Sequence, residues 1–139
     1  MVDSQQNVKK DRPVYRNIGL AQLIKYRLPW ASKVSILHRI GGAALFLMLP
    51  FILYLFDQSL ASKLSYQKFQ AFTGNILVKI ICLGLIWCFL HHFCAGIRYL
   101  LLDLEIGVER SEANRSAIVV LFLGLALTAV VGLKLFGLY

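Results

Sequence analysis

The sequence is poor in charged side chains, which make up 16% of its 139 residues. A soluble domain usually carries about 25%. The charges are also clustered, so that they leave three apolar stretches at residues 40–56, 80–97 and 117–133. Each stretch is close to the roughly 20 residues that a helix needs to cross the hydrocarbon core of a bilayer. This composition excludes an ordinary water-soluble domain and predicts an integral membrane protein.

Cysteine and nucleotide-binding motifs are also scarce, which excludes several chemistries. Cys82, Cys88 and Cys94 all lie in the second apolar stretch and form no Cys-x-x-Cys pair, so we expect them to pack as small apolar side chains. The chain has no glycine-rich nucleotide fingerprint and no cysteine set for an iron–sulfur cluster. Flavin and iron–sulfur electron transfer are therefore excluded as its own chemistry. We also expect no secretory signal peptide, because a long polar segment precedes the first apolar stretch.

The three stretches and their flanking residues predict an all-α fold with three transmembrane helices, at about residues 36–56, 76–102 and 116–136. Residues 1–34 are predicted to form a basic N-terminal arm, and residues 35–139 the transmembrane domain. The alternative is a set of helices buried in the core of a larger soluble fold. Three such helices would leave almost no polar surface to cover them.

The basic residues are distributed unevenly about the three spans. Eleven of the fifteen Lys and Arg residues precede the first span or lie between the second and the third, and four lie on the other side. The positive-inside rule therefore predicts a cytoplasmic N-terminus and a C-terminus outside. The basic arm is expected to contact anionic lipid headgroups or a soluble partner. No nucleic-acid partner is expected, because no basic and aromatic binding surface is left outside the spans.

The second span contains two adjacent histidines, His91 and His92. Four-residue spacing places His92 on a stripe of small residues, where a flat group or another backbone could approach closely. The stripe consists of Gly84, Cys88, His92 and Gly96. His91 points about 100° away from it. An imidazole at this depth can be a hydrogen-bonded packing residue, a metal or haem ligand, or a proton relay. A haem with two axial ligands would need a second one from another chain or from His38.

Ser35, Arg39, Gly42 and Phe46 share one face at the start of the first span. One interpretation is an N-cap serine followed by an arginine that reaches the headgroups. The other is a polar pocket, above a gap at Gly42, in which Ser35 and Arg39 donate hydrogen bonds to a carbonyl or carboxylate. His92 lies roughly 15 Å deeper. A haem b bound there could reach His38 and Arg39 with its propionates.

The third span carries no ionisable residue before Lys134. Its Gly124, Thr128 and Gly132 follow each other at four-residue spacing. Such a stripe allows close contact between helices, so we expect it to serve packing alone.

Three segments together resemble the cytochrome b membrane-anchor subunit of succinate dehydrogenase, respiratory complex II. They are Asn-Val-Lys-Lys-Asp-Arg-Pro-Val at residues 7–14, Ser-Ile-Leu-His-Arg-Ile-Gly-Gly at 35–42, and His-Phe-Cys-Ala-Gly-Ile-Arg-Tyr at 92–99, continuing to Asp103. The last is similar to the family pattern H-x-x-x-G-x-R-H-x-x-x-D, with Tyr99 where many relatives carry histidine. Gly41 stands where a small hydroxyl residue is common.

The resemblance implies a role for several residues. His92 would be the axial ligand of a haem b iron, and the second axial histidine would come from a small companion anchor subunit, the other half of a heterodimeric bundle. Ser35 and Arg39 would line the ubiquinone site. His38 and Arg39 would lie near the haem propionates. No role is implied for His91 or Tyr99.

The resemblance also implies the partners and the location of the chain. It would hold a flavoprotein subunit and an iron–sulfur subunit at the bacterial inner membrane, as part of succinate:ubiquinone oxidoreductase, with no catalysis of its own. The alternatives are the anchor of a fumarate reductase and a purely structural anchor without haem. A small transporter subunit is a further rival, disfavoured because the sequence shows no internal repeat.

Overall fold

The computed structural model describes residues 19–138, and every regular element within that range is an α-helix. There are five, α1 (Leu20–Lys25), α2 (Trp30–Ala61), α3 (Lys63–Gly74), α4 (Ile76–Asp103) and α5 (Arg110–Leu135). Helices α2, α4 and α5 are each long and apolar enough to cross a membrane. The predicted all-α fold with three transmembrane helices is therefore confirmed. The motif at residues 7–14 lies outside the described residues, and the membrane orientation stays a prediction.

Helix α2 begins at Trp30, directly after the N-cap residue Pro29. Proline fits this position because an N-cap residue has an extended backbone, as Pro29 has at φ −63° and ψ 159°, and its own N–H takes no part in the helix. Ser35 consequently lies more than one turn inside the helix. The interpretation of Ser35 as an N-cap residue is therefore wrong. Its hydroxyl does not cap the helix and can contact groups that lie beside it.

Helix α3 connects the first two spans and was not predicted from the sequence. Its N-terminus is held by a capping box, in which Ser62 Oγ accepts from the Ser65 N–H at 3.1 Å and Ser65 Oγ accepts from the Ser62 N–H at 3.0 Å. Asn75 then starts α4, since its Oδ1 accepts from the Leu77 N–H at 2.8 Å. Two side-chain caps in succession therefore fix the turn from α3 into the second span.

Helix α5 packs against the other two spans through one buried face, which contains the predicted small-residue stripe. Its buried residues are Ala117, Val120, Gly124, Thr128 and Gly132. A Cβ at Gly124 would lie 3.4 Å from His91 Cα, so the absence of a side chain lets the two backbones approach. Thr128 satisfies its hydroxyl within the helix by donating to the Gly124 carbonyl at 2.7 Å. The predicted packing role of this stripe is confirmed.

The C-terminal ends of α4 and α5 share one geometry but differ in sequence. After α4, the Ile106 N–H donates to Leu101 O at 3.0 Å, which places Glu105 in the left-handed region at φ 60°. After α5, the Leu138 N–H donates to Leu133 O at 2.9 Å, and the left-handed residue is Gly137 at φ 71°. Both are Schellman ends, which favour glycine.

We expect Glu105→Gly to stabilise the fold by about 1 kcal/mol, because a non-glycine residue in the left-handed region costs roughly that much. Gly137→Ala is the mirror-image control and should destabilise by a similar amount. Thermal unfolding in detergent, followed by circular dichroism, measures both. A lower midpoint for Glu105→Gly would mean that the carboxylate makes a contact worth more than the backbone strain.

Candidate functional site

Helix α4 directs its two adjacent histidines to different neighbours. His91 faces α5 and is 1% exposed, with its Cα against Gly124. His92 faces α2, where it lies against His38 and Gly42. The prediction that the two histidines serve different seams is confirmed.

His91 is sealed inside this chain. Neither of its ring nitrogens has a hydrogen-bond partner among residues 19–138. Its ring stacks on Trp87, whose indole nitrogen is also buried without a described partner, at 5.3 Å between centroids. An imidazole enclosed in this way offers no nitrogen to a bulky ligand outside the three helices.

His92 is held by His38 in two ways. Its Nδ1 lies 3.1 Å from the His38 carbonyl oxygen. The two rings are stacked with centroids 4.0 Å apart and planes 9° from parallel. Because a carbonyl oxygen can only accept, Nδ1 carries the proton and Nε2 carries the lone pair. This is the usual arrangement of a histidine prepared to bind a metal through Nε2.

The stacking of the two rings also bears on the alternative in which His38 is the second haem ligand. Two histidines that hold one metal must both direct a ring nitrogen at it, whereas rings stacked face to face leave no space for a group between them. With His38 lying face to face on His92 at 4.0 Å, it is not placed as the second ligand. The stacking therefore gives no support to His38 as a second haem ligand within this chain, and a ligand from another chain stays a prediction.

Gly42, rather than its neighbour Gly41, allows the close approach of His92 to α2. A Cβ at Gly42 would lie 2.7 Å from His92 Cε1, closer than real Cβ contacts, whereas one at Gly41 would lie 3.7 Å from the Cys88 carbonyl oxygen. The gap expected beneath Arg39 at Gly42 is thus filled by the imidazole of His92. The contact between Gly42 and His92 could not be predicted from the sequence. Helical spacing shows which residues share a face of one helix, but not which residue of another helix packs against that face.

The small-residue stripe on α4 is only partly open. Its centre, at Cys88 and His92, packs against α2. At its two ends, a Cβ on Gly84 or Gly96 would meet nothing within 4 Å. The expected continuous groove is therefore divided, with its open parts above and below His92.

A cavity of about 540 Å³ lies where the N-terminal half of α2 meets the C-terminal part of α4 and the start of α5. Its polar lining includes Ser32, Ser35, Arg39, Arg98 and Tyr99. Ser35 and Arg39, which were predicted as a pair, thus meet in one cavity. His38 and His92 do not line it. His38 and His92, two further residues of the predicted site, form a separate feature, the stacked histidines.

Arg98 was missed as a site residue, since its charge was attributed to orientation alone. It is 5% exposed, although it lines the cavity. Its Nε donates to Ser116 Oγ and its Nη2 to the Ala113 carbonyl, both at 2.9 Å. The guanidinium also lies 5.5 Å from the Tyr99 ring centroid. The sequence feature that could have indicated a role for Arg98 was its place in the Gly-x-Arg part of the third motif.

A further hydrogen bond links the helices at the end of the bundle where the cavity lies. The Ala31 N–H donates to Asn114 Oδ1 at 3.1 Å, across 83 residues of chain. This bond joins the first turn of α2 to the first turns of α5. Together with the hydrogen bonds of Arg98, it fixes all three spans to one another around the cavity.

These features define a small multi-pass membrane subunit with a histidine pair between two spans and an arginine-lined cavity at one end. Its family follows from sequence comparison. The chain belongs to the succinate dehydrogenase/fumarate reductase transmembrane subunits, whose family model matches residues 9–131. The resemblance drawn from the three motifs is therefore confirmed.

Individual relatives narrow the assignment. The succinate dehydrogenase cytochrome b556 subunit of Coxiella burnetii is 35% identical over 112 residues, which cover 78% of this chain and 90% of the relative. The b556 subunit of Paracoccus denitrificans is 32% identical, with 66% and 71% covered. The cytochrome b560 subunit of Marchantia polymorpha is 32% identical, with 83% and 84% covered. All three carry the succinate dehydrogenase name, so a fumarate reductase anchor is not favoured.

Proposed function

We propose that this chain anchors succinate:ubiquinone oxidoreductase in the bacterial inner membrane, shares a haem b with a second small anchor subunit, and forms part of the quinone site. Relatives named as succinate dehydrogenase cytochrome b subunits support the proposal. The flavoprotein and iron–sulfur subunits would then dock on the predicted cytoplasmic side. The observation that carries the proposal is the placement of Ser35 and Arg39 in one cavity, on the same helix as His38, which stacks on His92.

His92 is the proposed axial ligand, and its surroundings fit that role. The hydrogen bond from Nδ1 to the His38 carbonyl fixes the tautomer that leaves a lone pair on Nε2. His91 does not fit, because both its nitrogens are sealed within the chain. When bound, a haem b supplies a one-electron store whose potential depends on its ligands and on the low dielectric around it.

His38 and Arg39 are the proposed propionate contacts. The Nε2 atom of His38 is buried and has no hydrogen-bond partner among the described residues. A buried polar atom without a partner is costly, so an oxygen of a bound group would relieve that cost. Arg39 is exposed in this chain, which leaves its guanidinium available to a carboxylate.

Ser35 and Arg39 are the proposed quinone ligands. A hydroxyl and a guanidinium on one cavity wall can donate to a quinone carbonyl oxygen. Arginine keeps its charge at every relevant pH, so it also stabilises negative charge that develops on that oxygen as electrons arrive. The chain thus binds and polarises the acceptor while its partner subunits deliver the electrons.

Arg39→Ala tests this assignment in the purified complex. We expect quinone reduction to fall by about 100-fold, as when one preorganised donor to a developing charge is removed. Reduction of a water-soluble acceptor, which bypasses the cavity, should stay within about twofold. Arg110→Ala is the control, because that arginine is exposed and does not line the cavity. Equal losses with both acceptors would show that Arg39 serves only the structure of the complex.

A further inference from the structure

Arg98 is a nearly completely buried cation whose described hydrogen bonds go to neutral groups. Only 5% of the residue is exposed, and its two acceptors are a serine hydroxyl and a backbone carbonyl. A buried charge is costly unless a counter-charge or a full set of hydrogen bonds compensates it. The compensation that residues 19–138 provide for this guanidinium is therefore incomplete.

The guanidinium has donors to spare. It carries five N–H groups in a planar fork, and the hydrogen bonds from Nε and Nη2 use two of them. Among the described residues nothing accepts from Nη1. Arg98 lines the cavity, as does Ala113, the residue whose carbonyl holds Nη2. The charged end of the side chain is thus held at the cavity wall.

We propose that Arg98 is a second ligand-binding guanidinium of the cavity, donating to an oxygen of the same acceptor that Ser35 and Arg39 bind. The inference rests on the proposed quinone function and adds a residue to it. An acceptor that gains electrons in this cavity develops negative charge between two arginines, one on α2 and one on α4. Its oxygen completes the hydrogen bonding that Arg98 lacks.

A purely structural alternative predicts something different. If Arg98 served only to join α4 to α5, its function would reside in the bonds to Ser116 and Ala113. Removing the Ser116 hydroxyl would then cause much of the loss that removing the guanidinium causes. If Arg98 binds the acceptor, Ser116→Ala keeps the charge and the unused donors of Arg98. The variant that removes the guanidinium then loses more acceptor binding than Ser116→Ala does.

The experiment compares Arg98→Gln, Arg98→Lys and Ser116→Ala in the purified complex, with Arg115→Gln as control because Arg115 is exposed and does not line the cavity. The probe is a short-chain ubiquinone analogue, and KM, kcat, haem content and reduction of a water-soluble acceptor are measured. We expect Arg98→Gln to raise KM by about 10- to 100-fold, as for loss of a hydrogen bond from a charged donor. Ser116→Ala and Arg115→Gln should change KM less than about threefold.

Arg98→Lys guards against misfolding of the glutamine variant, since it keeps a charge and a donor for the Ala113 carbonyl. It should retain haem and soluble-acceptor activity yet raise KM, because an ammonium lacks the planar fork. Equal KM changes for Arg98→Gln and Ser116→Ala overturn the proposal. An unchanged KM in both Arg98 variants also overturns the proposal. If Arg39→Ala loses quinone reduction in the same experiment, the proposed function still stands. If Arg39→Ala also left quinone reduction unchanged, the proposed function itself would be wrong.

Discussion

The complex carrying His92→Leu is expected to lose the bis-histidine haem spectrum that the proposed ligation predicts. The substitution removes the imidazole whose Nδ1 is fixed by the His38 carbonyl and whose Nε2 is left with a lone pair. Loss of an axial ligand typically abolishes stable binding or leaves a high-spin site. The pyridine haemochrome assay and the reduced-minus-oxidised optical spectrum of the purified complex measure the effect.

His91→Leu is the matched control for this experiment. It removes an imidazole of the same size from the adjacent position on α4, but one that is 1% exposed and faces α5. The variant should keep the haem spectrum, because nothing it removes reaches the surface of the three helices. An unaltered spectrum in His92→Leu would exclude that residue as the ligand, and the chain would then act only as a structural anchor.

Gly42→Ala should disturb the proposed haem site without removing the proposed ligand His92. The new Cβ would lie 2.7 Å from His92 Cε1, so the imidazole must move or α2 must separate from α4. Ligands of this kind have to be held within about 0.5 Å of their productive position. Changes behind a metal ligand commonly weaken metal binding 10- to 100-fold, so we expect about a tenfold loss of haem affinity.

Gly41→Ala supplies the control on the same helix. Its Cβ would lie 3.7 Å from the Cys88 carbonyl oxygen, an ordinary van der Waals contact, although the residue also faces α4. Haem content and the position of the optical bands should therefore match those of the unmodified complex. If both alanine variants lost haem equally, the cause would be general loosening of the α2–α4 contact rather than displacement of His92.

The three spans could be predicted from the sequence because long apolar stretches have few alternatives. Helix α3 could not, since residues 63–74 are too short and too polar to give that signal, and their start depends on a capping box of two serines. The separation of His91 from His92 was predictable, because it depends only on the 100° turn per residue within one helix.

The details of the site depend on contacts between helices. No local pattern in the sequence encodes these contacts. Nothing in the order of residues says that Gly42 faces His92, or that the guanidinium of Arg98 reaches Ser116 of another helix. The cavity pair Ser35 and Arg39 was predictable because both residues lie on one face of α2. Arg98 approaches from α4, and its inclusion follows only from the packing.

The hydrogen bond from the Ala31 N–H to Asn114 has a consequence for biogenesis. The first N–H groups of a helix have no acceptor within it, and here one of them is satisfied by a side chain made 83 residues later. During synthesis this N–H therefore lacks its side-chain acceptor until the beginning of α5 has been made. The hydrogen bond that links the start of α2 to α5 thus forms only after the last of the three spans has begun to be made.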